Sequence, residues 1–357
     1  MAKDKLKGRG SVSNPSGRYE RFQVVPDVEH QSAFDEEPPP LETIVGTDSA
    51  RTVITENDSP DVPFDRSINP YRGCEHGCIY CFARPTHAYL GLSPGLDFER
   101  RIFAKPMAAA RLREELAKLS YRCEAIAIGA NTDPYQPVER RLGVTREILE
   151  VLSEHRHPVS IVTKSDLVLR DLDLIGPMAA SGLASVFVSI TTLDLELARR
   201  LEPRAPSPLR RLRTLETLAE AGVPVGVLAS PMIPGLNDAE LERILEAAHE
   251  AGARSAGYIL IRLPLELADL FREWLEANYP QKQQHVLNLI RGARGGKLYD
   301  ARFGARMRGE GPYAELLLKR FQVATRRLGM NECRAALDVT QFRVPPKSGD
   351  QLYLFSK

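Results

Sequence analysis

Five short apolar segments alternate with amphipathic segments between residues 64 and 262, and this alternation constrains the fold more than any other sequence feature. Each apolar segment is rich in β-branched or small residues, is too short for a helix, and is bounded by Gly, Pro or Asn. The predicted strands are AIAIGA (125–130), VSIVTK (159–164), SVFVSI (185–190), VPVGVLAS (223–230) and AGYILIRLP (256–264). Strands that alternate with amphipathic helices at this interval form βα units on a parallel sheet.

One more strand is expected just before a cysteine-containing segment, which gives about six βα units. A closed barrel of this type needs eight, so we predict an α/β fold with a partial (β/α)6 TIM-type barrel over residues 61–264. Residues 1–60 lack apolar periodicity and are predicted to form a disordered, charged and Pro-rich arm. A helical, basic C-terminal extension is expected over residues 265–335, followed by an extended tail over residues 336–357.

The composition indicates a soluble protein of a reducing compartment. The chain contains no run of about 18 apolar residues, so no transmembrane helix is predicted. Its basic N-terminus lacks the apolar region of a secretory signal. Three of the five cysteines lie close together, which does not form a disulfide framework. This pattern predicts a cytoplasmic location and a metal or catalytic role for the clustered thiols.

The segment NPYRGCEHGCIYCFARPTH, residues 69–87, carries the clustered thiols at C-x3-C-x2-C spacing. The three cysteines are Cys74, Cys78 and Cys81. A zinc knuckle would use His76 or His87 as its fourth ligand. Zinc motifs usually contain a second pair of ligands, and the sequence has no second pair. The spacing therefore favours a metal centre that needs only three protein ligands.

This loop, placed after the first strand of a six-unit βα barrel, resembles the loop of the radical S-adenosylmethionine (SAM) superfamily. The resemblance implies that three thiolates hold a [4Fe–4S] cluster whose fourth iron is open to the amino and carboxylate groups of SAM. Tyr80 resembles the aromatic residue that packs near the adenine. The resemblance also implies reductive cleavage of SAM to a 5′-deoxyadenosyl radical, with flavodoxin or ferredoxin as electron donor.

Other segments at strand ends resemble the branch around spore photoproduct lyase, often described as DNA-repair-photolyase-like. SPMIPGLND, residues 230–238, resembles the PxIPGLND segment found after the fifth strand of many radical SAM enzymes. By position, Thr132, Lys164 and Ser189 match the SAM-contacting Ser, Lys and Ser of the branch. The resemblance implies that Lys164 pairs with the SAM carboxylate and that the hydroxyls bond the carboxylate or ribose. The alternative for Lys164 is a surface lysine at a strand end.

One position departs from this branch. Spore photoproduct lyase carries a hydrogen-donor cysteine two residues before the matched Ser, and this chain has Ala130 there. Tyr135 is the candidate for an alternative donor, and its other interpretation is an aromatic residue that hydrogen-bonds within its loop. The departure means that the return of a hydrogen atom by cysteine is not expected.

Residues 282–327 contain eleven Lys or Arg against three acids, which indicates an anionic partner at this face. Arginines alternate here with Tyr299, Phe303 and Tyr313, a pattern suited to phosphate contacts and base stacking. The basic residues of this pattern are Arg291, Arg294, Lys297, Arg302, Arg306 and Arg308. A solvated helix face is the alternative. We therefore expect an enzyme acting on nucleic acid, in DNA repair or modification. The other hypotheses are modification of a protein or small molecule and a non-catalytic iron–sulfur adaptor on DNA.

The chain also contains the pentapeptide QLYLF near residue 357, after a Pro- and Gly-containing spacer. It resembles the short peptide by which bacterial DNA polymerases and repair proteins bind the sliding clamp. The residues that carry the resemblance are Gln351, Leu352, Leu354 and Phe355. Apolar anchors of such a motif fill a preformed pocket on the partner. The alternative is a terminal strand that packs back onto the domain.

Overall fold

The computed structural model describes residues 8–20, 42–332 and 336–345 of the 357-residue chain. The strands are β1 (Ile44–Thr47), β2 (Ile54–Glu56), β3 (Arg66–Ile68), β4 (Tyr71–Arg72), β5 (Arg101–Ala104), β6 (Ile126–Ile128), β7 (Val159–Thr163), β8 (Ala184–Ser189), β9 (Val225–Met232) and β10 (Ser255–Leu260). The α-helices are α1 (Leu96–Arg100), α2 (Ala108–Leu116), α3 (Glu139–Leu142), α4 (Val144–Glu154), α5 (Leu172–Ala180), α6 (Leu195–Leu201), α7 (Pro208–Glu220), α8 (Leu241–Glu250), α9 (Leu267–Asn278), α10 (Gln283–Gly292), α11 (Ala305–Arg308) and α12 (Pro312–Arg327). The clamp-like motif at Gln351–Phe355 lies outside the described residues.

The main sheet has seven strands in the order β10-β9-β8-β7-β6-β3-β2. Strands β3 to β10 of this sheet pair in parallel, and β2 adds an antiparallel edge beside β3. The parallel part therefore contains six strands, each of the first five followed by at least one helix before the next strand. This arrangement confirms the predicted α/β fold with a partial barrel.

A second, three-stranded sheet joins β1, β5 and β4. Strand β1 pairs in parallel with β5, and β4 pairs antiparallel with β5. At the start of β2, on the edge of the main sheet, the carboxylate of Glu115 accepts hydrogen bonds from the amides of Val53 and Ile54 at 2.7 and 3.2 Å. The structure of residues 42–56 differs from the arm expected over residues 1–60. These short segments lack a periodic pattern that the sequence could reveal. Their structure depends on contacts with residues elsewhere in the chain.

Helices cover the outer face of the parallel sheet with their apolar sides. In α4, the buried residues recur at helical spacing and include Ile148, Leu149 and Leu152. The C-terminal helix α12 packs in the same way, with the ring of Phe321 4.8 Å from the ring of Tyr258 on β10. The basic C-terminal extension is thus attached to the last barrel strand through apolar contacts. Among the described helices, none is long and apolar enough to span a membrane.

Residues 8–20 pack against the loop that contains the three cysteines. The amides of Gly10 and Ser11 donate to the carboxylate of Glu99 at 3.0 and 2.8 Å. A Cβ atom on Gly10 would lie 1.8 Å from the carbonyl oxygen of Gly77. Any side chain at position 10 would therefore separate this segment from the cysteine loop.

Gly10→Ala is expected to lower the free energy of unfolding by about 1–3 kcal/mol, because the added methyl group overlaps backbone that cannot rotate away. Chemical denaturation measures this, and hydrogen exchange at residues 8–20 shows whether the segment has separated from the loop. Gly292→Ala is the matched control, because a Cβ atom there meets nothing within 4 Å. Equal stability and unchanged exchange in the two variants would contradict the close contact.

Candidate functional site

The cysteine loop, residues 73–84, winds through successive turns after β4. The amides of Gly77, Cys81 and Arg84 each donate to a carbonyl oxygen three residues earlier, at 3.3, 3.2 and 3.1 Å. Gly77 adopts a φ of +67°, and a Cβ atom there would lie 2.8 Å from Glu99 Oε2. Each of these turns brings residues three positions apart close together. The three thiols therefore lie near one another, and Cys78 and Cys81 both act on the pKa of Cys74.

The three thiols are free and lie within electrostatic range of one another. Cys74 and Cys78 are buried, and Cys81 is partly buried. Burial raises the pKa of Cys78 to about 12, although the nearby Lys164 ammonium acts in the opposite direction. Burial also raises the pKa of Cys74 and of Cys81. A cationic centre beside these groups would be needed to hold them as thiolates.

The two histidines considered as zinc ligands are both buried, and the Nδ1 atom of each has no hydrogen-bond partner among the described residues. His87 is buried, its Nε2 lies 3.0 Å from the carbonyl oxygen of Arg101, and its ring packs against Phe98. His76 Nδ1 lies 3.3 Å from the carboxylate of Asp133. Across the described ranges, no three His, Cys, Asp or Glu side chains are arranged around a single metal ion. Within the described part of the chain, neither histidine therefore completes a metal site with the cysteines.

Arg84 of the loop forms an ion pair with Glu99 of α1, and both side chains are fully buried. The Arg84 guanidinium is 2.5 Å from the Glu99 carboxylate. It also donates to the carbonyl oxygens of Gly77 at 3.0 Å and Cys78 at 2.9 Å. The pair therefore fixes the backbone on both sides of the second cysteine. Sequence analysis missed it, although an arginine three residues after the last cysteine was a visible signal.

Lys164, at the end of β7, lies beside this loop. Its Nζ is 5.8 Å from the ring centroid of Tyr80, so these two predicted SAM contacts come together. Burial acts to lower the pKa of Lys164, but the neighbouring Cys78 and Glu202 raise it above its usual value. Lys164 is partly buried, which argues against the alternative of a surface lysine.

Glu202 lies next to Tyr80 and accepts hydrogen bonds from three side chains of the site. Its carboxylate accepts hydrogen bonds from the Tyr80 hydroxyl, from Thr191 at 2.6 Å and from Arg211. Burial acts to raise the pKa of Glu202, but Arg211 and Lys164 hold it at about 2. The carboxylate is therefore charged, and it fixes the aromatic ring next to Cys78. This residue was also missed, because its contact with Tyr80 spans 122 positions of the sequence.

The segment after the fifth barrel strand is fixed by Asn237. Its side chain is fully buried, donates to the carbonyl oxygen of Thr191 at 2.7 Å and accepts from the amide of Ile233 at 2.6 Å. Asn237 thus connects the PMIPGLND segment to the residue that also bonds Glu202. The segment was singled out in the sequence, and this contact gives the physical reason for its asparagine.

The other two predicted SAM contacts lie at strand ends. Thr132 Oγ1 donates to the carbonyl oxygen of Tyr71 at 2.9 Å. Ser189 Oγ donates to the carbonyl oxygen of Ser230 at 3.2 Å. Both residues are buried, and their hydroxyl protons are already used. Each oxygen retains the capacity to accept a hydrogen bond from a ligand.

Tyr135 belongs to a different polar cluster. Its side chain is fully buried, and its hydroxyl donates to Asp171 at 3.1 Å. Asp171 is also paired with Arg146 and Arg170, at 2.9 and 2.8 Å. These contacts match the interpretation of Tyr135 as a hydrogen-bonding aromatic of its loop.

Asp133 links the ends of the second and third barrel strands and was missed by sequence analysis. Its carboxylate accepts from Thr163 Oγ1 at 2.6 Å, from the Lys164 amide at 2.8 Å and from the Tyr135 amide at 2.9 Å. Burial acts to raise the pKa of Asp133, but His76 and these hydrogen bonds hold it at about 2. Asp133 therefore positions the backbone of Lys164.

The basic segment is less positive than its composition indicates. Arg302 is paired with Asp300 at 2.6 Å and with Glu310 at 2.9 Å. Arg306 is paired with Asp61. Two of the arginines expected to contact phosphate are therefore neutralised by acids of the chain itself.

The remaining residues of the pattern divide between the interior and the surface. Arg294 is buried and donates only to carbonyl oxygens of described residues. The Tyr313 hydroxyl donates a hydrogen bond to Asp238 at 2.6 Å, which holds this ring against the chain itself. Phe303 and Arg308 are exposed. The surface suited to nucleic acid is thus smaller than residues 282–327.

This chain is similar to a known protein family and to proteins of two organisms. A family model described as the Radical SAM superfamily matches residues 68–248. An uncharacterized protein of Mycobacterium tuberculosis is 38% identical over 232 residues, which cover 64% of this chain and 68% of the relative. An uncharacterized protein of Methanocaldococcus jannaschii is 30% identical over 221 residues, which cover 62% of this chain and 79% of the relative.

The similar solved structures include spore photoproduct lyase complexed with dinucleoside spore photoproduct. It aligns with a TM-score of 0.55 at 17% identity and covers 80% of this chain and 77% of that chain. A mutant of the same lyase with bound AdoMet and dinucleoside spore photoproduct aligns with a TM-score of 0.53 at 17% identity, with the same shares of each chain covered. At this identity, the likeness establishes a shared fold.

Proposed function

Because the chain belongs to the radical SAM superfamily, we propose that it is a radical SAM enzyme in which Cys74, Cys78 and Cys81 hold a [4Fe–4S] cluster. The superfamily uses this cluster together with SAM. One observation carries the proposal: three free thiols, two buried and one partly buried, lie near one another in a single loop, beside a lysine and an aromatic ring from the predicted SAM set. Three ligands fit a cluster that keeps one iron open.

The cluster, when bound, supplies the electron that cleaves SAM reductively. Lys164 provides the positive charge that binds and orients the SAM carboxylate. Tyr80, held by Glu202, provides a fixed aromatic wall for the adenine. The Arg84–Glu99 pair keeps the backbone of the cysteine loop in place. Thr132 and Ser189 offer hydroxyl oxygens at the strand ends.

Lys164→Ala is expected to keep the cluster and to weaken SAM binding by about 1.5–3 kcal/mol, because a charge-assisted hydrogen bond to the SAM carboxylate is lost. Equilibrium dialysis with labelled SAM on the reconstituted protein measures this, and iron content verifies the cluster. Lys118→Ala is the control, since Lys118 is exposed two residues after the end of α2. Equal SAM affinity in wild type and Lys164→Ala would contradict the assignment.

We propose nucleic acid as the substrate class, with DNA repair or modification as the activity. Two observations support it. The fold is shared with a lyase whose structure contains a dinucleoside photoproduct. The basic segment retains two exposed side chains of the predicted pattern, Arg308, whose guanidinium carbon lies 5.3 Å from the ring centroid of Tyr258, and Phe303. Because Ala130 stands where the lyase branch has its hydrogen-donor cysteine, the return of hydrogen by a cysteine at this position is not part of the proposal.

Binding to nucleic acid is expected to weaken steeply with salt, because neutralised phosphates release counterions. Replacing Arg302, Arg306 and Arg308 with alanine is expected to flatten the slope of log K against log salt by up to about 0.9 per lost contact on duplex DNA. Arg308→Ala alone is expected to account for most of the change, because Arg302 and Arg306 are ion-paired. A salt titration of fluorescence anisotropy measures the slopes.

The deciding assay is turnover by the reconstituted protein with dithionite, SAM, and either damaged DNA or bulk RNA. A modified or repaired nucleic acid together with SAM cleavage supports the proposal. SAM cleavage without any change in DNA or RNA, and no binding at low salt, would favour a protein or small-molecule substrate. A cluster without SAM cleavage would favour the non-catalytic adaptor. Binding to a sliding clamp through Gln351–Phe355 remains a separate prediction, tested with a labelled peptide spanning residues 347–357.

A further inference from the structure

Arg262 lies two residues beyond β10, next to the residue that follows the last cysteine. Its guanidinium carbon is 4.7 Å from the ring centroid of Phe82. Phe82 is bonded to Cys81 and is 38% exposed, so the stacked pair forms part of the rim of the cysteine loop. Stacking on an aromatic ring orients a guanidinium while leaving its edge free for hydrogen bonds.

No acid within the described ranges pairs with Arg262. Its one side-chain contact of hydrogen-bond length is to Met307 Sδ at 3.5 Å, and a thioether is a weak acceptor. Its buried Nε has no hydrogen-bond partner among these residues. A guanidinium carries several N–H donors. Most of the donor capacity of Arg262 is therefore available to a ligand.

A second guanidinium, that of Arg294, lies close to Arg262. Burial and the charge of Arg262 together lower the pKa of Arg294 to about 10, and the charge of Asp300 offsets this shift only in part. Arg294 is 2% exposed and has no paired acid among the described residues. Two like charges held together at a partly desolvated rim are unfavourable unless an anion compensates them. The arrangement therefore matches a binding site for a negatively charged group.

Arg294 also joins the two backbone segments that surround this site. It donates to the carbonyl oxygens of Leu260 and Ile261 at 3.3 and 2.6 Å, at the end of β10. It donates as well to the carbonyl oxygens of Ala305 and Arg306 at 3.0 and 3.2 Å, on α11. The strand end that precedes Arg262 is thereby joined to the short helix that carries its thioether neighbour.

We propose that Arg262 binds a phosphate group of the substrate at the rim of the cysteine loop, with Phe82 orienting its guanidinium and Arg294 as a positioning residue. This inference deepens the proposed function and rests on it for the identity of the substrate. The planar fork of arginine matches two phosphate oxygens at once. The carboxylate of SAM is a second anion that the same chemistry would bind, and the experiment separates the two.

The first arm tests the anion site without any nucleic acid. Binding of inorganic pyrophosphate to the reconstituted protein is measured by equilibrium dialysis for wild type, Arg262→Gln, Arg262→Lys and Arg213→Gln. Arg262→Gln is expected to weaken binding about tenfold or more, since charged hydrogen bonds are lost. Arg262→Lys is expected to retain part of the affinity. Arg213→Gln removes an exposed charge on α7 and is expected to match wild type.

The second arm measures binding of a labelled single-stranded DNA, a labelled RNA and SAM to the same proteins. Weaker oligonucleotide binding by Arg262→Gln, with unchanged SAM affinity, supports a substrate phosphate. Weaker SAM binding with unchanged pyrophosphate binding would assign Arg262 to SAM and overturn the proposal. Phe82→Leu keeps the charge and removes the stack, and its partial loss of pyrophosphate affinity provides a second test should Arg262→Gln fold poorly.

The two arms also separate this inference from the proposed function. If pyrophosphate binding depends on Arg262 but no oligonucleotide binds to wild type, the anion site stands and the nucleic-acid function fails. If oligonucleotides bind wild type and Arg262→Gln equally, and pyrophosphate binding is unaffected as well, the inference is overturned while nucleic acid remains a ligand.

Discussion

Protein in which Cys74, Cys78 and Cys81 are all replaced with alanine is expected to bind no iron–sulfur cluster. Wild type reconstituted without oxygen is expected to hold about four irons and four sulfides per chain and to gain an electron paramagnetic resonance signal on reduction. SAM is expected to perturb that signal, because it binds the iron that no cysteine occupies. Iron and sulfide analysis with the resonance spectrum measures the loss in the variant.

Cys123→Ala is the matched control for this experiment. Cys123 is also a free and partly buried thiol, but it lies outside the cysteine loop. This variant is expected to bind the same cluster as wild type. Stoichiometric zinc without a cluster in anaerobically isolated wild type would contradict the proposal. So would a full cluster in the triple variant.

Arg84→Met is expected to lower the free energy of unfolding by about 3–5 kcal/mol, because it leaves the buried Glu99 carboxylate without its charged partner. The variant also loses the hydrogen bonds that Arg84 donates to the carbonyl oxygens of Gly77 and Cys78. Urea denaturation of the apoprotein measures the change. Cluster content after reconstitution shows whether the loop still presents its thiols.

The exposed pair between Arg113 and Glu154 provides the control. Its two atoms are 2.8 Å apart, with side chains 47% and 48% exposed. Arg113→Met is expected to change stability by about 0–1 kcal/mol, as for other solvent-exposed pairs. If Arg84→Met gives no soluble protein, Glu99→Gln removes the charge while keeping a hydrogen-bond acceptor. Losses no larger than that of Arg113→Met in either variant would contradict the role of the buried pair.

Much of the barrel could be predicted from the sequence, because its signals are local. The runs that contain Ile126–Ile128, Val159–Thr163 and Ala184–Ser189 are short, apolar and bounded by turn residues, and all three are parallel strands. Polar residues such as Lys164 could be assigned to the ligand edge because parallel strands present their carboxyl ends at one side of a sheet. These inferences need only the period of the pattern and the direction of each strand.

The basic segment was harder to interpret because charge pairing is not a local property. Arg306 is paired with Asp61, which lies 245 positions earlier in the chain. A count of charged residues alone treats this arginine as a positive charge that is available to a ligand. The nearest acids in sequence gave no sign of the partner, because the pair depends on how α11 packs beside the residues that precede β3.

The sequence by itself determined the alternation of strands and helices and the spacing of the three cysteines, since periodicities and ligand spacings are set by neighbouring residues. Only the tertiary structure decided which buried charges surround those cysteines. Glu202 meets the Tyr80 hydroxyl across 122 positions, and Gly10 meets Glu99 across 89. Contacts over such separations depend on the packing of whole elements, because a buried carboxylate is stable only where the fold supplies its donors.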